Sequence, residues 1–588
     1  MTPTRRYIIV LLCVLLFPLW SMAQSTHFNH TVKKGETVYS LARIYKTTID
    51  EIYTLNPNAK QGLKAGEILR IPQQVSNANQ QGFHTIKPSE TLYRISIIYK
   101  VSAAEICAAN PGLSAENFKA GQVIVIPTTT TSVEQPTTPI LPEVSTPQPA
   151  PNRLQPKCRE MHKVGRREKL SKIAEEYAVS EEEIIAANPE MKEPGYELKK
   201  GSFICIPYRK QVEQAPKIPT NEELFPPKAE KKSMEHIKMA VVLPFKENNS
   251  KSAKMIEFYQ GILLAVDSIK SSGVSVEVFA YDSGANAEDM TQLLSTPELK
   301  KVDIIFGPMY AAQINTLSKF CKRNKIKLVV PFTGQSDEFY NNPYIYAINA
   351  PKNDQYHEVN LLAESYFVDY NHVILDAEDN NTEGKNLADG LKKVLKAQGR
   401  EVATMSLHAD EMTLLQTLNP VRKNLIIPNT SDLKVLNKLF PLLKNFSNQH
   451  PEYKISLLGY PEWQTYTGIY SSYFHIFDTF VFTTFYRNAM DQGVVDMENR
   501  FTQWFTKPMF ASYPRFGLLG FDAGYFFLKG MSQYGKSFND HILEVNVKPM
   551  QHAFRFQRAS NWSGFINREI QLIHYTTDQR IELIRLKR

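Results

Sequence analysis

One pattern recurs three times before residue 208, and it constrains the fold of this region more than any other feature. The copies read HTVKKGETVYSLARIYKTTIDEIYTLNP from His30, HTIKPSETLYRISIIYKVSAAEICAANP from His84 and HKVGRREKLSKIAEEYAVSEEEIIAANP from His162. Each copy then ends in a short apolar stretch, LKAGEILRIP, FKAGQVIVIP or LKKGSFICIP. Because a repeat of this length is one supersecondary unit, the sequence predicts three similar small domains.

Each copy predicts two short helices between two strands. The first helix carries apolar residues at positions i, i+3, i+4 and i+7, which lie on one helical face. In the first copy these residues are Val38, Leu41, Ala42 and Tyr45. The second helix begins with a capping box in each copy, in the pairs Thr48–Glu51, Ser102–Glu105 and Ser180–Glu183. An Asn-Pro pair ends it, and a Val- and Ile-rich strand follows.

The repeats resemble LysM domains over nearly their whole length. This resemblance implies a βααβ fold and a ligand that contains N-acetylglucosamine, such as peptidoglycan or chitin. It also implies a shallow groove between the loop after the first strand and the loop after the second helix. Carried onto this chain, the groove residues are Gly35, Glu36, Thr37, Val38, Leu55, Asn56, Pro57 and Asn58 in the first copy, and Ser89, Glu90, Thr91, Leu92, Asn110 and Pro111 in the second.

A neutral acetamido sugar suits such a groove, because it needs backbone donors and acceptors beside a small apolar wall. A structural role is the alternative for each residue taken singly, with Gly35 turning the chain and Asn56-Pro57 stopping a helix. The second copy replaces the turn glycine with Ser89, and the third replaces it with Arg167. The third copy is therefore expected to bind weakly or to serve as a spacer, and tethered weak sites gain from effective concentration.

The N-terminus predicts export. Arg5-Arg6 precede an apolar run from Tyr7 to Trp20, and Ser21-Met22-Ala23 supplies small residues for cleavage. This is the pattern of a secretory signal peptide over residues 1–23. The alternative, a membrane anchor, needs about 20 apolar residues, whereas this run is shorter and contains Pro18. We therefore expect an exported protein of the periplasm or cell envelope, without a transmembrane segment in the mature chain.

The cysteines and linkers complete the domain prediction. Cys158 and Cys205 lie near the two ends of the third repeat and form a candidate disulfide, although the connectivity stays open. Cys107 and Cys321 lie in apolar helical patterns and are expected to be buried thiols. The predicted order is a signal peptide at 1–23, repeats at 28–72 and 83–127, a Pro/Thr-rich extended linker at 128–157, a third repeat at 158–207, a polar linker at 208–235 and one large domain at 236–588.

From residue 236 onward, short apolar strands alternate with amphipathic helices. IKMAVVLPF predicts a buried strand, and in the helix that follows one face carries Phe258, Ile262, Ala265 and Ile269. Further strand patterns include VSVEVFAYD, VDIIFGP, IKLVVPFT, HVILDA, NLIIPNTS, KISLLGYP and TFVFTTFY. The sequence therefore predicts an α/β domain with mainly parallel sheets, and a length of roughly 350 residues predicts two lobes.

The order of these elements resembles the type I periplasmic binding proteins, the family of branched-chain amino-acid receptors. The segments that carry the resemblance are YQGILLAVDSI (259–269), YDSGAN (281–286), IIFGPMY (304–310), VVPFTGQS (329–336) and GFDAGYF (520–526). It implies a solute cleft between the lobes, lined by Asp282, Pro308, Met309, Tyr310, Thr333 and Gly334. Amino-acid receptors have small hydroxyl residues where this chain has Met309 and Tyr310, so a cleft filled by side chains is the alternative.

Several function classes are excluded by the residue patterns. The net charge is only +8 and the basic residues are scattered, which argues against nucleic-acid binding. HExxH, P-loop, CxxC and nucleophile-elbow patterns are missing from the sequence, so no catalysis, metal or cofactor is predicted. Two hypotheses remain: a peptidoglycan-binding receptor for a small solute, and an adaptor or regulator of peptidoglycan synthesis or degradation that binds an envelope protein.

Overall fold

The computed structural model describes residues 27–33, 36–72, 82–127, 158–193, 195–208, 219–227, 232–247, 249–378 and 382–585. The expected signal peptide, the linker at 128–157 and the groove candidate Gly35 lie outside these residues. The chain divides into two compact units, of which one contains residues 1–130 and 220–588 and the other contains residues 131–219. The first two repeats therefore share a unit with the large domain, whereas the third repeat is a unit of its own.

Each repeat is a two-stranded antiparallel sheet with two helices between its strands, as the sequence predicts. Repeat 1 consists of β1 (His27–Thr31), α1 (Val38–Tyr45), α2 (Ile49–Leu55) and β2 (Ile68–Pro72). Repeat 2 consists of β3 (Gly82–Thr85), α3 (Leu92–Tyr99), α4 (Ala103–Ala109) and β4 (Val123–Ile126). Repeat 3 consists of β5 (Glu160–Lys163), α5 (Leu170–Tyr177), α6 (Glu181–Ala187) and β6 (Phe203–Ile206).

The local signals for these elements are confirmed. All three predicted capping boxes are present at the starts of α2, α4 and α6. The predicted apolar face of α1 is buried along its whole length. In repeat 2 the last residue of that face, Tyr99, is instead 39% exposed, while its counterpart Tyr45 is 6% exposed. The difference arises because Phe83 and Trp562, which lie outside repeat 1, cover Tyr45.

Repeat 3 is closed by a disulfide. Cys158 and Cys205 are bonded, with their Cα atoms 5.2 Å apart. The two free cysteines among the described residues, Cys107 and Cys321, are buried. Burial raises the pKa of the Cys107 thiol to about 11, so this side chain stays a neutral apolar group at physiological pH.

The polar stretch before the large domain contains one further helix, α7 (Asn221–Leu224). Phe225, directly after it, is only 7% exposed because its ring packs against repeat 2. This part of the predicted linker at 208–235 is therefore structured. Two adjacent apolar residues, Leu224 and Phe225, are sufficient to dock an otherwise polar segment.

The large domain alternates strands and helices in chain order. Its elements are β7 (His236–Leu243), α8 (Ser250–Lys270), β8 (Ser275–Asp282), α9 (Ala287–Leu293), β9 (Ile304–Phe306), α10 (Ala311–Asn324), β10 (Lys327–Val330), α11 (Glu338–Asn341), β11 (Ile345–Ala347), α12 (Lys352–Tyr366), β12 (Asn371–Asp376), α13 (Thr382–Ala397), β13 (Ala403–Ser406), α14 (Glu411–Thr417), β14 (Asn424–Pro428), α15 (Leu433–Gln449), β15 (Ile455–Gly459), α16 (Thr467–Ile476), β16 (Thr479–Thr483), α17 (Gln492–Phe505), α18 (Phe516–Tyr534), β17 (Phe556–Arg558), β18 (Phe565–Asn567), β19 (Gln571–Tyr575) and β20 (Ile581–Arg585).

These strands form two seven-stranded sheets, one in each lobe. The first has the order β17-β18-β11-β10-β9-β7-β8 and is parallel apart from β17. The second has the order β13-β12-β14-β15-β16-β19-β20, and its pairs are parallel apart from β16–β19 and β19–β20. The chain enters the second lobe after β11, returns after β16 and crosses again after β18. The predicted two-lobed, mainly parallel α/β fold is confirmed.

The first lobe is organised around the close packing of α8 and α18. The predicted apolar face of α8, from Phe258 to Ile269, is buried. Glycines lie where the two helix backbones meet: a Cβ atom on Gly520 would lie 2.0 Å from the Phe258 carbonyl oxygen, and one on Gly261 would lie 2.0 Å from that of Gly517. Only glycine permits this approach. None of the helices in the described ranges is both long and apolar enough to cross a bilayer.

Candidate functional site

The loop after the first strand of each repeat is held by a His–Glu–Tyr group, which is most buried in repeat 1. In repeat 1, Glu36 Oε2 accepts a hydrogen bond from the Lys33 backbone N–H (2.7 Å) and lies 2.7 Å from His30 Nε2. The Tyr45 hydroxyl lies 2.7 Å from His30 Nδ1. The group recurs in repeats 2 and 3, with His-to-Glu distances of 2.8 and 3.0 Å. It was visible in the sequence as a Glu six residues and a Tyr fifteen residues after each His.

This group changes the role of two predicted groove residues, Glu36 and Glu90. Burial raises the pKa of Glu90, but the Lys87 N–H and His84 outweigh it, so this pKa lies below its ordinary value. A carboxylate bonded in this way shapes the loop from inside. Both carboxylates therefore bond within their own loops, which is the structural alternative to the predicted ligand contact.

The side chain of the asparagine at the end of the second helix is also hydrogen-bonded within its own repeat. Asn110 is fully buried; its Nδ2 donates to the carbonyls of Ile106 (2.7 Å) and Val125 (2.8 Å), and its Oδ1 accepts from the Val125 N–H (2.8 Å). Asn56 makes the same three bonds with Ile52 and Arg70. These side chains tie the helix end to the last strand. Any ligand contact at these positions falls to neighbouring groups.

In repeat 1 the groups left for a ligand are backbone atoms and a small exposed rim. Thr37 Oγ1 caps the Ser40 N–H, Val38 is buried and Leu55 is half-buried. Pro57 and Asn58 are exposed. Within the described residues, the Val38 N–H at the first turn of α1 has no hydrogen-bond partner. An unpaired backbone donor beside an apolar wall suits an acetamido carbonyl.

Repeat 2 has the same outline with one added contact. Ser89, Thr91 and Pro111 are exposed, and Ser89 keeps a left-handed φ of 64° where repeat 1 has glycine. Leu92 is buried, and its N–H donates to Asn221 Oδ1 at 2.9 Å. This backbone donor at a predicted groove position is therefore bonded by another segment of the same chain.

The predicted solute-cleft residues of the first lobe lie at the ends of strands, where open α/β sheets bind ligands. Asp282 Oδ1 accepts from the N–H groups of Phe245 (2.7 Å) and Lys246 (3.2 Å). The Tyr310 hydroxyl donates to Glu247 at 2.7 Å. Burial, followed by hydrogen bonding to Glu247, raises the pKa of Tyr310 to about 12. Both side chains are therefore hydrogen-bonded to residues of their own lobe.

The other four candidates offer little polar surface. Met309 packs against the apolar core of the lobe, and Pro308 is buried. Thr333 Oγ1 accepts from the Gln335 N–H at 3.2 Å, which is a local turn contact. Gly334 lies so close to Ala350 that a Cβ atom would be 2.5 Å from its carbonyl oxygen. Among these six residues, only Thr333 has a hydroxyl group that is not shown donating a hydrogen bond within the lobe.

The two lobes are joined by a buried polar cluster that sequence analysis missed. The Tyr340 hydroxyl donates to Asp354 Oδ2 at 2.9 Å, and Arg555 donates to Glu358 at 2.8 Å. Arg568 lies 3.5 Å from Glu358 and 3.9 Å from Asp354. Tyr340 and Arg555 belong to the first lobe and the two acids to α12 of the second. Arg568 and Glu358 are 210 positions apart in the sequence, so no local sequence pattern indicates their contact.

Within the described ranges, no group of three or more His, Cys, Asp or Glu side chains is arranged to hold a metal ion. The architecture consists of three βααβ domains and one two-lobed α/β domain. Comparison with known proteins agrees: the LysM domain family matches residues 30–72, 84–127 and 162–207. The three repeats are LysM domains.

Two curated relatives match a short part of the chain. YdhD of Bacillus subtilis (strain 168), whose name describes a sporulation-specific glycosylase, is 32% identical over 100 residues, 17% of this chain and 22% of that protein. The endolysin of Bacillus phage PZA is 27% identical over 98 residues, 16% of this chain and 36% of that protein. The chain thus spans about a fifth to a third of these relatives.

Solved structures of transport receptors resemble the large domain. A branched-chain amino-acid ABC transporter protein from Rhodospirillum rubrum is 12% identical, with a TM-score of 0.44, over 59% of this chain and 100% of that one. An ABC transporter substrate-binding protein from Desulfitobacterium hafniense is 13% identical, with a TM-score of 0.38, over 60% of this chain and 100% of that one. The two-lobed fold is established by the strand order of its two seven-stranded sheets.

Proposed function

We propose that this is a non-catalytic, exported cell-envelope protein that binds peptidoglycan through its LysM domains and presents a receptor-like domain. The observation that carries the proposal is the groove of repeat 1. It combines a Val38 N–H that has no hydrogen-bond partner among the described residues with an apolar wall and an exposed rim at Pro57 and Asn58. That chemistry suits the N-acetyl groups of a neutral glycan.

A second candidate function for the large domain is adaptor or regulator of peptidoglycan synthesis or degradation, docking on an envelope protein. It is favoured by the internal bonds of Asp282 and Tyr310, which leave few donors for a zwitterionic solute. A small-solute receptor needs such donors between its lobes. The domain boundaries predicted from the sequence form part of this proposal.

Sedimentation of the mature chain with insoluble peptidoglycan sacculi tests the proposal. The whole chain is needed, because repeats 1 and 2 pack on the large domain and a fragment ending at residue 207 would cut that interface. We expect the chain to sediment with sacculi. Asn58→Trp, which fills the exposed rim of the repeat 1 groove, is expected to reduce the bound fraction several-fold.

Ala65→Trp is the matched control, because Ala65 is exposed in the same repeat but lies in the turn before β2. It is expected to sediment like the unmodified protein. A chain that remains in the supernatant under low and moderate salt would contradict peptidoglycan binding. Equal losses for both tryptophan variants would place the contact elsewhere on repeat 1.

A further inference from the structure

A short segment outside repeat 2 packs on the loop that begins its first helix. Phe225 is 7% exposed, and its ring centroid lies 5.8 Å from that of Phe118 in an edge-to-face arrangement. The ring belongs to the same apolar cluster as Leu92, a predicted groove residue, and Leu113, which lies two residues after the predicted groove residue Pro111. Residues 220–225 therefore pack beside the predicted groove of repeat 2.

The polar contact of this segment is made at a predicted ligand position. Asn221 Oδ1 accepts the hydrogen bond of the Leu92 N–H at 2.9 Å. The Asn side chain is a carboxamide, so it offers a backbone donor the same amide carbonyl that an N-acetyl group offers. The adjacent aromatic ring supplies an apolar surface, as a sugar ring face does.

The segment is preorganised to make both contacts. Thr220 and Glu223 form a capping box, in which the Thr220 N–H donates to Glu223 Oε2 at 3.0 Å. This single turn of helix places Asn221 and Phe225 on repeat 2 together. In repeats 1 and 3 the equivalent donors are the N–H groups of Val38 and Leu170, and neither has a hydrogen-bond partner among the described residues.

We propose that residues 220–225 are an intramolecular ligand of repeat 2, which cover its groove and compete there with an N-acetylglucosamine glycan. This inference rests on the proposed function, because it assumes that LysM grooves of this chain bind such a glycan. One buried ring and one neutral hydrogen bond make a small interface, which a polymeric glycan held by the other repeats can displace. Repeat 2 then binds the glycan only after residues 220–225 have been displaced.

Calorimetric titration of the whole chain with the β-1,4-linked tetramer of N-acetylglucosamine tests the inference. The unmodified chain is compared with the double variant Asn221→Ala/Phe225→Ala and with Glu222→Ala, an exposed position of the same segment. We expect the double variant to bind one more tetramer per chain than the unmodified protein. Glu222→Ala is expected to bind the same number as the unmodified protein.

Hydrogen exchange provides a second measurement if Phe225→Ala lowers the yield of folded protein. Asn221→Ala alone removes a half-buried side chain and is expected to speed exchange of the Leu92 amide several-fold. The tetramer should then slow that exchange in Asn221→Ala but leave it unchanged in the unmodified chain. Slowing of equal size in both proteins overturns the inference.

The outcomes separate the two proposals. If the unmodified chain binds the tetramer and the folded double variant binds no more, the intramolecular ligand is wrong while glycan binding stands. If neither protein binds, the glycan function fails and the inference fails with it. Binding gained by the double variant supports the inference, whether or not the unmodified chain binds.

Discussion

At the scale of single residues, the asparagine of each Asn-Pro pair joins the second helix of its repeat to the last strand. The side chain of Asn110 satisfies both the N–H and the C=O of Val125, fifteen residues later. Asn188 does the same for Cys205 in repeat 3. Removing a buried partner leaves these groups without water or protein to bond them, which costs more than the bond itself contributes.

Asn110→Ala is therefore expected to destabilise repeat 2 locally by about 2–3 kcal/mol. Exchange of the Val125 amide should accelerate by about 30-fold or more, since roughly 2 kcal/mol corresponds to that factor. Hydrogen exchange with mass spectrometry measures it. Asn58→Ala, at an exposed asparagine, is the control and should leave exchange in repeat 1 unchanged. Unaltered protection of β4 in Asn110→Ala would show that these hydrogen bonds are not needed.

At the scale of elements, the first lobe depends on two helices that touch through glycines. Gly520→Ala places a methyl group 2.0 Å from the Phe258 carbonyl oxygen, so α8 and α18 must separate. We expect a loss of about 3 kcal/mol or more in stability, seen as a lower midpoint of thermal unfolding. Gly468→Ala is the control, because it lies in α16 with nothing within 4 Å of the added Cβ. That change should be neutral or stabilise by up to about 1 kcal/mol.

The second-lobe sheet is tied at one end by Asp478, which precedes β16. Its carboxylate lies 2.7 Å from His574 Nε2 on β19 and accepts from Ser456 on β15 at 3.2 Å. Burial opposes ionisation of Asp478, but the His574 hydrogen bond, the charges of His574 and Lys423 and the Ser456 bond outweigh it, so its pKa is lowered. The ionised form therefore stabilises the folded state.

Asp478→Asn is expected to cost about 2 kcal/mol at neutral pH. A depressed folded pKa means that the contribution of Asp478 is present above about pH 4, the range of an unfolded aspartate, and is lost as the pH falls through the folded value. The difference in thermal midpoint between the variant and the unmodified protein should shrink below pH 4. Asp369→Asn, exposed in the same lobe, should show no such pH dependence. A constant difference from pH 3 to 7 would contradict the assignment.

At the scale of the whole molecule, repeats 1 and 2 are attached to the first lobe through aromatic packing. The Trp562 ring lies 6.0 Å from Tyr45 and 5.5 Å from Phe83, measured between centroids, and Phe28 lies 5.4 Å from Phe83. The Gly112 N–H donates to the Asn561 carbonyl at 2.7 Å, and Arg43 forms an ion pair with Asp337. Glycan binding by these repeats would therefore fix the orientation of the receptor-like domain on the wall.

Trp562→Ala is expected to release both repeats from the lobe, because a buried Trp truncated to Ala costs about 3–5 kcal/mol. Exchange of amides in β1 and β3 should accelerate, and the radius of gyration from small-angle scattering should increase. Trp504→Ala is the control, because Trp504 is 49% exposed on α17. An unchanged radius of gyration for Trp562→Ala would show that the remaining contacts hold the repeats by themselves.

Most of the fold was predictable from the sequence because its signals are local. The helix faces of the repeats, the three capping boxes and the alternation of strands with helices depend on residues within a few positions of one another. The contacts of the predicted groove residues were not predictable in the same way. Glu36, Glu90 and Asn110 are polar residues in the expected loops, yet their side chains point inward to partners up to fifteen residues away.

The sequence by itself determined the three repeats, their βααβ order and the parallel two-lobed domain, since periodicity and capping act within single elements. Only the tertiary structure decided that Asn221 and Phe225 cover repeat 2, that Trp562 holds the first two repeats, and that Arg555 and Arg568 join the lobes. These contacts link residues that are 107 positions apart for Phe118 and Phe225 and 517 positions apart for Tyr45 and Trp562. Their formation depends on matching surfaces after the elements have formed, and no local pattern records such a match.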